Sequence, residues 1–216
     1  RDHSTQIQVG ASNDGTITSL KVNTVANLGG TLSTIAPGIP TTLYGRLLSG
    51  TYKFPNIYCG VKGVYTNTGM VDAYRGAGRP EGVYIMERLL QKAAIEMDID
   101  PVELRKINLI QKEQFPYQSA AGLTYDSGDF QSVIEDGLKT ADWDGFEARK
   151  IESKKNGFFR GRALTYYLEV TAPVGKEMGR IRFDDNGSIT LISGNLDYGQ
   201  GHLTSFAQIM SDKLSI

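Results

Sequence analysis

The chain has 216 residues, 40% of them hydrophobic and 22% charged, so it is long enough to bury a substantial core. Its 23 basic and 24 acidic side chains give a formal net charge of -1, and this balance argues against nucleic acid as a partner. No apolar run reaches membrane-spanning length, and a single cysteine, Cys59, excludes an internal disulfide and an iron–sulfur cluster ligated by this chain alone. We therefore expect a cytoplasmic protein that has no membrane partner.

The first third of the chain has the alternation of polar and apolar residues that is typical of β-strands. Residues 5–9 and 16–26 flank an Asn-Asp-Gly turn at residues 13–15, which predicts an antiparallel hairpin. A segment rich in Pro, Gly and Thr at residues 29–48 is predicted to contain one short helix. The β-branched and aromatic residues at 57–65 predict a third strand.

A loop rich in glycine and arginine, residues 72–81, follows this strand and is called the first glycine loop below. Gly76 and Gly78 permit a positive φ and close backbone approach, while Pro80 and Glu81 suit the first turn of a helix. Guanidinium groups recognise phosphate or carboxylate oxygens, and helix N-termini attract anions. The loop is therefore predicted to bind an anion, although an ordinary exposed turn has a similar composition.

The two arginines of this loop, Arg75 and Arg79, precede a helix predicted over residues 81–97. Apolar residues recur there at helical spacing, and Glu87 lies within the apolar face. Because a carboxylate in such a face needs a partner, we predict that Glu87 pairs with Arg75 or Arg79 and so stabilises the loop. The alternative is that Glu87 reaches solvent at the edge of the face.

Helices and a long loop are predicted for the middle of the chain. Asp100 is a capping residue and Pro101 a first-turn proline for the next helix. Residues 111–128 lose periodicity, which indicates an ordered loop or a domain boundary. Residues 129–140 and 142–151 are predicted to form two further short helices.

The last part of the chain returns to strands and ends in a second loop rich in glycine. Strands are predicted over residues 163–170, 179–183 and 188–192, the last two joined by an Asp-Asn-Gly turn. Residues 194–204, called the second glycine loop below, then lead into a helix with one apolar face. This strand–turn–helix order is typical of anion binding, but the loop has neither the Walker A lysine nor the dinucleotide fingerprint.

Side chains of the second glycine loop offer further hydrogen-bonding groups. Gln200 can donate and accept hydrogen bonds toward a heterocycle, and Thr204 can bond a phosphate or cap the helix. From its position alone, His202 is expected to be a first-turn surface residue rather than a metal ligand.

The two glycine loops and their neighbours resemble the molybdenum-cofactor-binding large subunit of the xanthine dehydrogenase, aldehyde oxidase and carbon monoxide dehydrogenase family. The residues that support this resemblance are 66–67, 73–81, 100–105, 108, 199–202 and 204. The resemblance implies an internal fragment of such a subunit with an α+β fold. Two subdomains of mixed and antiparallel sheets with packed helices are expected, at residues 1–115 and 116–216.

The resemblance also implies a cofactor, a molybdenum-molybdopterin dinucleotide, and the residues that contact it. These are Tyr74, Arg75, Gly76 and Ala77 in the first glycine loop and Gly199, Gln200, Gly201, His202 and Thr204 in the second. No direct protein ligand to a metal is predicted. Iron–sulfur clusters and FAD are expected on partner subunits or domains, and the rest of the large subunit is a further expected partner.

The implied activity is hydroxylation of a small-molecule substrate, an aldehyde or an N-heterocycle, with oxygen derived from water. Carbon monoxide oxidisers carry a cysteine at the position of Gly76, and purine oxidisers an aromatic residue at that of Ala77, so both substrates are disfavoured. The family's catalytic glutamate lies in a motif outside these 216 residues. The catalytic residue is therefore unknown, and the isolated fragment is expected to be inactive.

Glu169 is the internal carboxylate that we consider for the substrate funnel. It lies beside Tyr166 and Tyr167 in a stretch that the family places near that funnel. The alternative is a strand-end carboxylate that faces water.

Two other hypotheses stay open at the level of the sequence. A non-catalytic ligand-binding or subunit-assembly module would retain both glycine loops for a nucleotide-like ligand or a partner subunit, whereas a purely structural domain would use neither. An internal fragment would also expose apolar surface that the rest of the subunit covers. Self-association of the chain is therefore expected.

Overall fold

A computed structural model describes residues 2–170, 178–197 and 199–215 of the chain. The chain divides into two compact units, Arg1–Glu169 and Val170–Ile216. Small sheets and packed helices make up the described residues, which confirms the predicted α+β fold class. These units are defined by their internal contacts and not by family boundaries. The predicted subdomain boundary between residues 115 and 116 therefore stays a prediction.

The first unit is built on a three-stranded sheet with the order β1-β2-β3. Strands β1 (His3–Ala11) and β2 (Ile17–Asn27) form the predicted antiparallel hairpin, and β3 (Ile57–Val64) pairs with β2 in parallel. Every second residue of β2 is buried over most of its length, because one face of the sheet covers the core. The core residues of this strand are Ile17, Leu20, Val22, Thr24 and Ala26.

Short helical turns connect β2 to β3. A 3-10 turn (Ala36–Gly38) and a π-helical turn (Ile39–Leu43) lead into α1 (Tyr44–Arg46), which confirms the predicted short helix. Leu47 and Leu48 follow α1 and are buried. This segment therefore packs against the core although little of it is regular helix.

Two consecutive helices pack beside the sheet at the predicted positions. Helix α2 (Arg79–Met97) begins after Gly78, and α3 (Pro101–Asn108) begins after Asp100. The Asp100 carboxylate caps α3 by accepting hydrogen bonds from the amides of Val102 at 2.8 Å and Glu103 at 3.1 Å. The cap predicted from the sequence is thus confirmed.

The buried side chain of Asn108 joins α3 to the β1-β2 hairpin. Its amide nitrogen donates to the backbone carbonyl of Gly15 at 2.9 Å, and its carbonyl oxygen accepts from the amide of Ile17 at 2.8 Å. These bonds connect segments more than 90 residues apart in the chain. Asn108, one of the residues that support the family resemblance, therefore has a structural role in this chain.

The middle of the chain is more regular in places than the sequence predicted. Two short paired strands, β4 (Tyr117–Gln118) and β5 (Thr124–Tyr125), lie within the predicted loop. Helix α4 (Phe130–Thr140) is confirmed, with Asp129 as its cap. Helix α5 (Phe146–Lys155) begins four residues later than predicted because residues 141–145 form turns, with Asp142 at a φ of 45°.

The strand predicted over residues 163–170 is wrong, because these residues form no ladder with another strand. Side-chain contacts hold this segment instead. Tyr166 packs edge-to-face on Phe130, with their ring centroids 5.8 Å apart. The alternating residue types therefore correspond to an unpaired segment that lies on the surface of the first unit and turns every second side chain toward it.

The second unit contains a hairpin and one helix. Strands β6 (Gly179–Phe183) and β7 (Ile189–Ser193) pair in antiparallel fashion across the predicted turn, in which Gly187 has a φ of 83°. Helix α6 (His202–Leu214) follows the second glycine loop, as predicted. No residue of these three described elements is fully buried.

Among the helices of the described residues, none has the length and apolar character that a bilayer crossing requires.

Candidate functional site

The first glycine loop makes a tight left-handed turn immediately before α2. Gly76, Ala77 and Gly78 have φ values of 92°, 41° and 93°. A Cβ atom on Gly78 would lie 2.3 Å from the carbonyl oxygen of Ile39. Glycine is therefore required at position 78 by both backbone conformation and packing.

The start of α2 has no side-chain cap. Its N-cap residue is Gly78, and the helix dipole places partial positive charge at this end. The amide of Gly76 makes no hydrogen bond to a described residue, whereas that of Arg79 donates to the Gly76 carbonyl at 3.1 Å. This end of the helix therefore retains the capacity to interact with an anion.

The two arginines of the loop have different surroundings. Arg75 is exposed and forms no ion pair with any described residue. Arg79 is directed inward: its Nη1 donates to the Gly76 carbonyl at 3.4 Å, and its Nε lies 3.3 Å from Oε1 of Glu169. The Arg79–Glu169 contact is an ion pair by distance without hydrogen-bond alignment. Of the two guanidinium groups predicted to recognise an anion, Arg75 is the one without an ion pair among residues 2–170, 178–197 and 199–215.

The predicted pairing of Glu87 with Arg75 or Arg79 is wrong. Both buried partners lie elsewhere: Nε of Arg105 donates to Oε2 of Glu87 at 2.9 Å, and the Tyr52 hydroxyl donates to Oε1 at 2.7 Å. The sequence interpretation missed Arg105, which lies on α3 and is 1% exposed. Glu87 therefore connects α2 to α3 and does not stabilise the glycine loop directly.

Glu169 lies beside the first glycine loop through its contact with Arg79. It lines a cavity of about 570 Å³ together with Tyr84, Tyr167 and Leu168. The carboxylate is partly exposed, with 40% of the side chain accessible. Its assignment to a substrate funnel stays a prediction.

The amides of the second glycine loop converge on one carboxylate, that of Asp197. Oδ1 accepts hydrogen bonds from the amides of Gly199 at 2.8 Å and Gln200 at 2.9 Å, and Oδ2 accepts from His202 at 3.0 Å. These bonds, the one from Gly199 foremost, lower the pKa of Asp197 below its ordinary value. Asp197 was not predicted, although an Asp before Gly-Gln-Gly is a recognisable signal for a side-chain-capped turn.

The remaining predicted residues of this loop lie at the start of α6. His202 is half-buried and stacks on Phe206 with ring centroids 4.8 Å apart, so it packs on its own helix instead of pointing freely into solvent. Gln200 and Thr204 are exposed. Gly201 has a φ of 74° and precedes the helix as its N-cap. Tyr198, which belongs to the same loop, lies outside the described residues.

The donor chemistry of both loops fits an anionic cofactor with a heterocyclic part. The first loop offers a guanidinium group beside an uncapped helix start. In the second loop, backbone amides donate to the carboxylate of Asp197, and the exposed side chains of Gln200 and Thr204 carry hydrogen-bonding groups that suit a heterocyclic edge. Among the described residues, no cluster of three His, Cys, Asp or Glu side chains is placed to ligate a metal ion.

Both glycine loops lie in regions of the chain that match known protein families. Two family models match, both described as molybdopterin cofactor-binding domains, at residues 1–109 and 136–216. The chain belongs to the molybdopterin cofactor-binding domain family. Each of the two glycine loops lies within one of the matched ranges, so the resemblance noted in the sequence is confirmed.

Two curated relatives of the chain are named as the large chain of a dehydrogenase and the large subunit of a hydroxylase. The chain is 34% identical over 234 residues to the carbon monoxide dehydrogenase large chain of Hydrogenophaga pseudoflava, a match that covers the whole chain and 29% of the relative. It is 29% identical over 180 residues to the nicotine 6-hydroxylase large subunit of Paenarthrobacter nicotinovorans, covering 78% of the chain and 22% of the relative. The chain thus spans less than a third of the length of these relatives.

Solved structures show the same fold. A Cu,Mo-CO dehydrogenase superposes with a TM-score of 0.79 at 27% identity, covering 100% of this chain and 30% of that one. Quinoline 2-oxidoreductase from Pseudomonas putida 86 superposes with a TM-score of 0.87 at 24% identity, covering 99% of this chain and 29% of that one. The molybdopterin-binding fold therefore extends over the chain.

Proposed function

We propose that this chain is part of a molybdenum hydroxylase large subunit and that its two glycine loops contact a molybdopterin dinucleotide. The observation that supports this most strongly is the match of both loops to molybdopterin cofactor-binding domains. The predicted contact residues, at positions 74–77, 199–202 and 204, all lie within the matched ranges. When bound, such a cofactor supplies the redox chemistry that hydroxylates a substrate with oxygen from water.

The chain's own residues bind and orient the cofactor in this proposal. Arg75 recognises anionic oxygens through the forked donors of its guanidinium group. Gln200 offers both a donor and an acceptor to a heterocyclic edge, and the Thr204 hydroxyl adds a further hydrogen bond. The left-handed turn at Gly76 and Ala77 places backbone beside the ligand without large side chains.

The backbone conformation at Gly76 provides an argument about the class of substrate. A Cβ atom there would lie 2.7 Å from Cγ of Pro80, and the φ of 92° is unfavourable for any residue with a Cβ. The cysteine that the resemblance gives to carbon monoxide oxidisers would thus require this turn to change. On this backbone argument we favour an aldehyde or an N-heterocycle over carbon monoxide, while the relatives include both a carbon monoxide dehydrogenase and a nicotine 6-hydroxylase.

Partners follow from the same proposal. Two relatives are named a large chain and a large subunit, which supports assembly with other subunits. We propose that iron–sulfur clusters and FAD reside on those partners, and that the complex is cytoplasmic. The resemblance assigns the catalytic glutamate to none of these 216 residues, so we propose that the chain alone has no turnover and that Glu169 lines the approach of the substrate.

The test is the molybdenum content of the full-length large subunit, expressed with its flanking segments and partner subunits. Molybdenum near one atom per subunit is expected for the wild type. Arg75→Gln should lower this content about tenfold, because a charge-assisted hydrogen bond is worth about 1.5–3 kcal/mol. Arg88→Gln is the matched control, since Arg88 is an exposed arginine on α2 outside the loop. A folded full-length protein without molybdenum would reject the proposal in favour of a non-catalytic module.

A further inference from the structure

We infer that Asp197 is a positioning residue for the cofactor site: its carboxylate holds the backbone of the second glycine loop and thereby sets the direction of the Gln200 side chain. This inference rests on the proposed function. It goes beyond it by assigning a role to a residue outside the predicted contact set. Asp197 acts through Gln200 and is not itself placed against the cofactor.

The geometry of the carboxylate is the first argument. Both of its oxygens accept hydrogen bonds, and the three donating amides belong to Gln200 itself, to the preceding residue Gly199 and to His202 two residues later. An Asp carboxyl is ionised at neutral pH, and hydrogen bonds to an ionised acceptor are stronger than those to a neutral one. The same three amides, that of Gly199 foremost, lower the pKa of Asp197 below its ordinary value. One side chain therefore fixes the backbone before, at and after residue 200.

The need for such an anchor is the second argument. Gly199 and Gly201 have φ values of 106° and 74°, a conformation that an unrestrained glycine-containing segment populates among many others. Within the described residues, no residue of α6, β6 or β7 is fully buried, so the restraints that this structure shows on the loop are mainly hydrogen bonds. The loop conformation therefore depends on hydrogen bonds, and Asp197 accepts three of them.

The charge of Asp197 also determines what this loop can bind. An anionic group of the cofactor would compete with the carboxylate for the same amides and would be repelled by it. The second glycine loop in this conformation consequently presents Gln200 and Thr204 to a neutral, hydrogen-bonding edge such as a pterin ring. Anionic oxygens are left to the Arg75 guanidinium in the first glycine loop.

The experiment compares Asp197→Ala and Asp197→Asn in the full-length large subunit expressed with its partners. Asp185→Asn is the matched control, because Asp185 is an exposed carboxylate in the hairpin turn of the same unit. One readout is molybdenum and pterin per subunit. The other is amide hydrogen exchange in peptides covering residues 199–204 and, separately, residues 205–214.

Asp197→Ala should lower the molybdenum and pterin content per subunit by at least about tenfold. It should also speed up amide hydrogen exchange at residues 199–204 while residues 205–214 stay protected. Asp197→Asn, which keeps one acceptor oxygen, should lie between Ala and wild type, and Asp185→Asn should match wild type. Combining Asp197→Ala with Gln200→Ala should cost no more cofactor than the stronger single change, because both remove the same contact.

The inference is overturned if Asp197→Ala keeps its cofactor and its protection, if the losses from Asp197→Ala and Gln200→Ala add, or if protection is lost across residues 205–214 as well. The last result would show a general structural role. Absence of molybdenum from the wild type would reject the proposed function instead, and the exchange at residues 199–204 would still test the anchoring by Asp197.

Discussion

The buried pair of Glu87 and Arg105 gives the most exacting test of the fold around the first glycine loop. The two side chains are 5% and 1% exposed, and Nε and Nη2 of Arg105 each lie 2.9 Å from Oε2 of Glu87. Glu87→Gln keeps the shape and the acceptor for Tyr52 but leaves the guanidinium charge buried without its counterion. Breaking a buried pair in this way costs about 3–5 kcal/mol.

Urea unfolding of the 216-residue chain, followed by circular dichroism, measures this loss. The slope increases with chain length, and about 2–3 kcal/mol per molar is expected for this chain, so the midpoint should fall by about 1–2.5 M. Glu96→Gln is the matched control: Glu96 lies on the same helix, pairs with Lys92 at 3.5 Å and is 66% exposed. Its removal should change stability by less than about 1 kcal/mol. Equal midpoints for the two variants would refute the importance of the pair.

A double variant separates the pair from simple packing. Glu87→Leu combined with Arg105→Met removes both charges, and the stability should return to at least that of the wild type, because well-packed apolar residues often match a buried ion pair. Arg105→Met alone should be as damaging as Glu87→Gln. Arg79→Met leaves the buried pair intact and should cost less than Arg105→Met; a larger loss in Arg79→Met would contradict the ranking.

Four further outcomes are expected. Burial is the main cause that raises the pKa of Tyr52 above its ordinary 10.0, so the unfolded chain loses this proton at a lower pH than the folded chain. The free energy of unfolding, measured by urea titration, should therefore fall as the pH rises above about 10. The fall should be less steep in Tyr52→Phe. Gly78→Ala should lower the melting temperature more than Gly137→Ala, since a Cβ at position 137 meets nothing. Glu169→Gln should speed proteolysis near residues 163–169 through loss of the Arg79 ion pair; unchanged cleavage would contradict that contact. Sedimentation of the chain alone should show concentration-dependent self-association. A strictly monomeric profile would contradict the expectation that the chain exposes apolar surface covered by the rest of the subunit.

The regular elements could be predicted because their signals are local. The Asn-Asp-Gly turn specifies its hairpin, and Asp100-Pro101 specifies the start of α3, because turn and cap chemistry operate within a few residues. The strand expected over residues 163–170 failed for the opposite reason. Alternation describes which residues face a surface, while pairing with a neighbouring strand depends on contacts distant in sequence.

In the candidate site, too, features with a local sequence signal could be predicted, and features that depend on distant contacts could not. The left-handed turn at Gly76 and Gly78 follows from residue type, whereas the partner of Glu87 does not. Arg75, Arg79 and Arg105 are equally plausible partners by charge, and the packing of α3 on α2 selects Arg105. The anchoring by Asp197 was accessible from the sequence as a local turn signal but was overlooked beside the more conspicuous glycines.

The central claim is that both glycine loops contact a molybdopterin dinucleotide. The most direct measurement is a density map of the full-length large subunit purified with its partners. We expect cofactor density with anionic oxygens within hydrogen-bonding distance of the Arg75 guanidinium and a heterocyclic edge against Gln200. A cofactor bound without contact to either loop, or a folded complex that holds none, would contradict it.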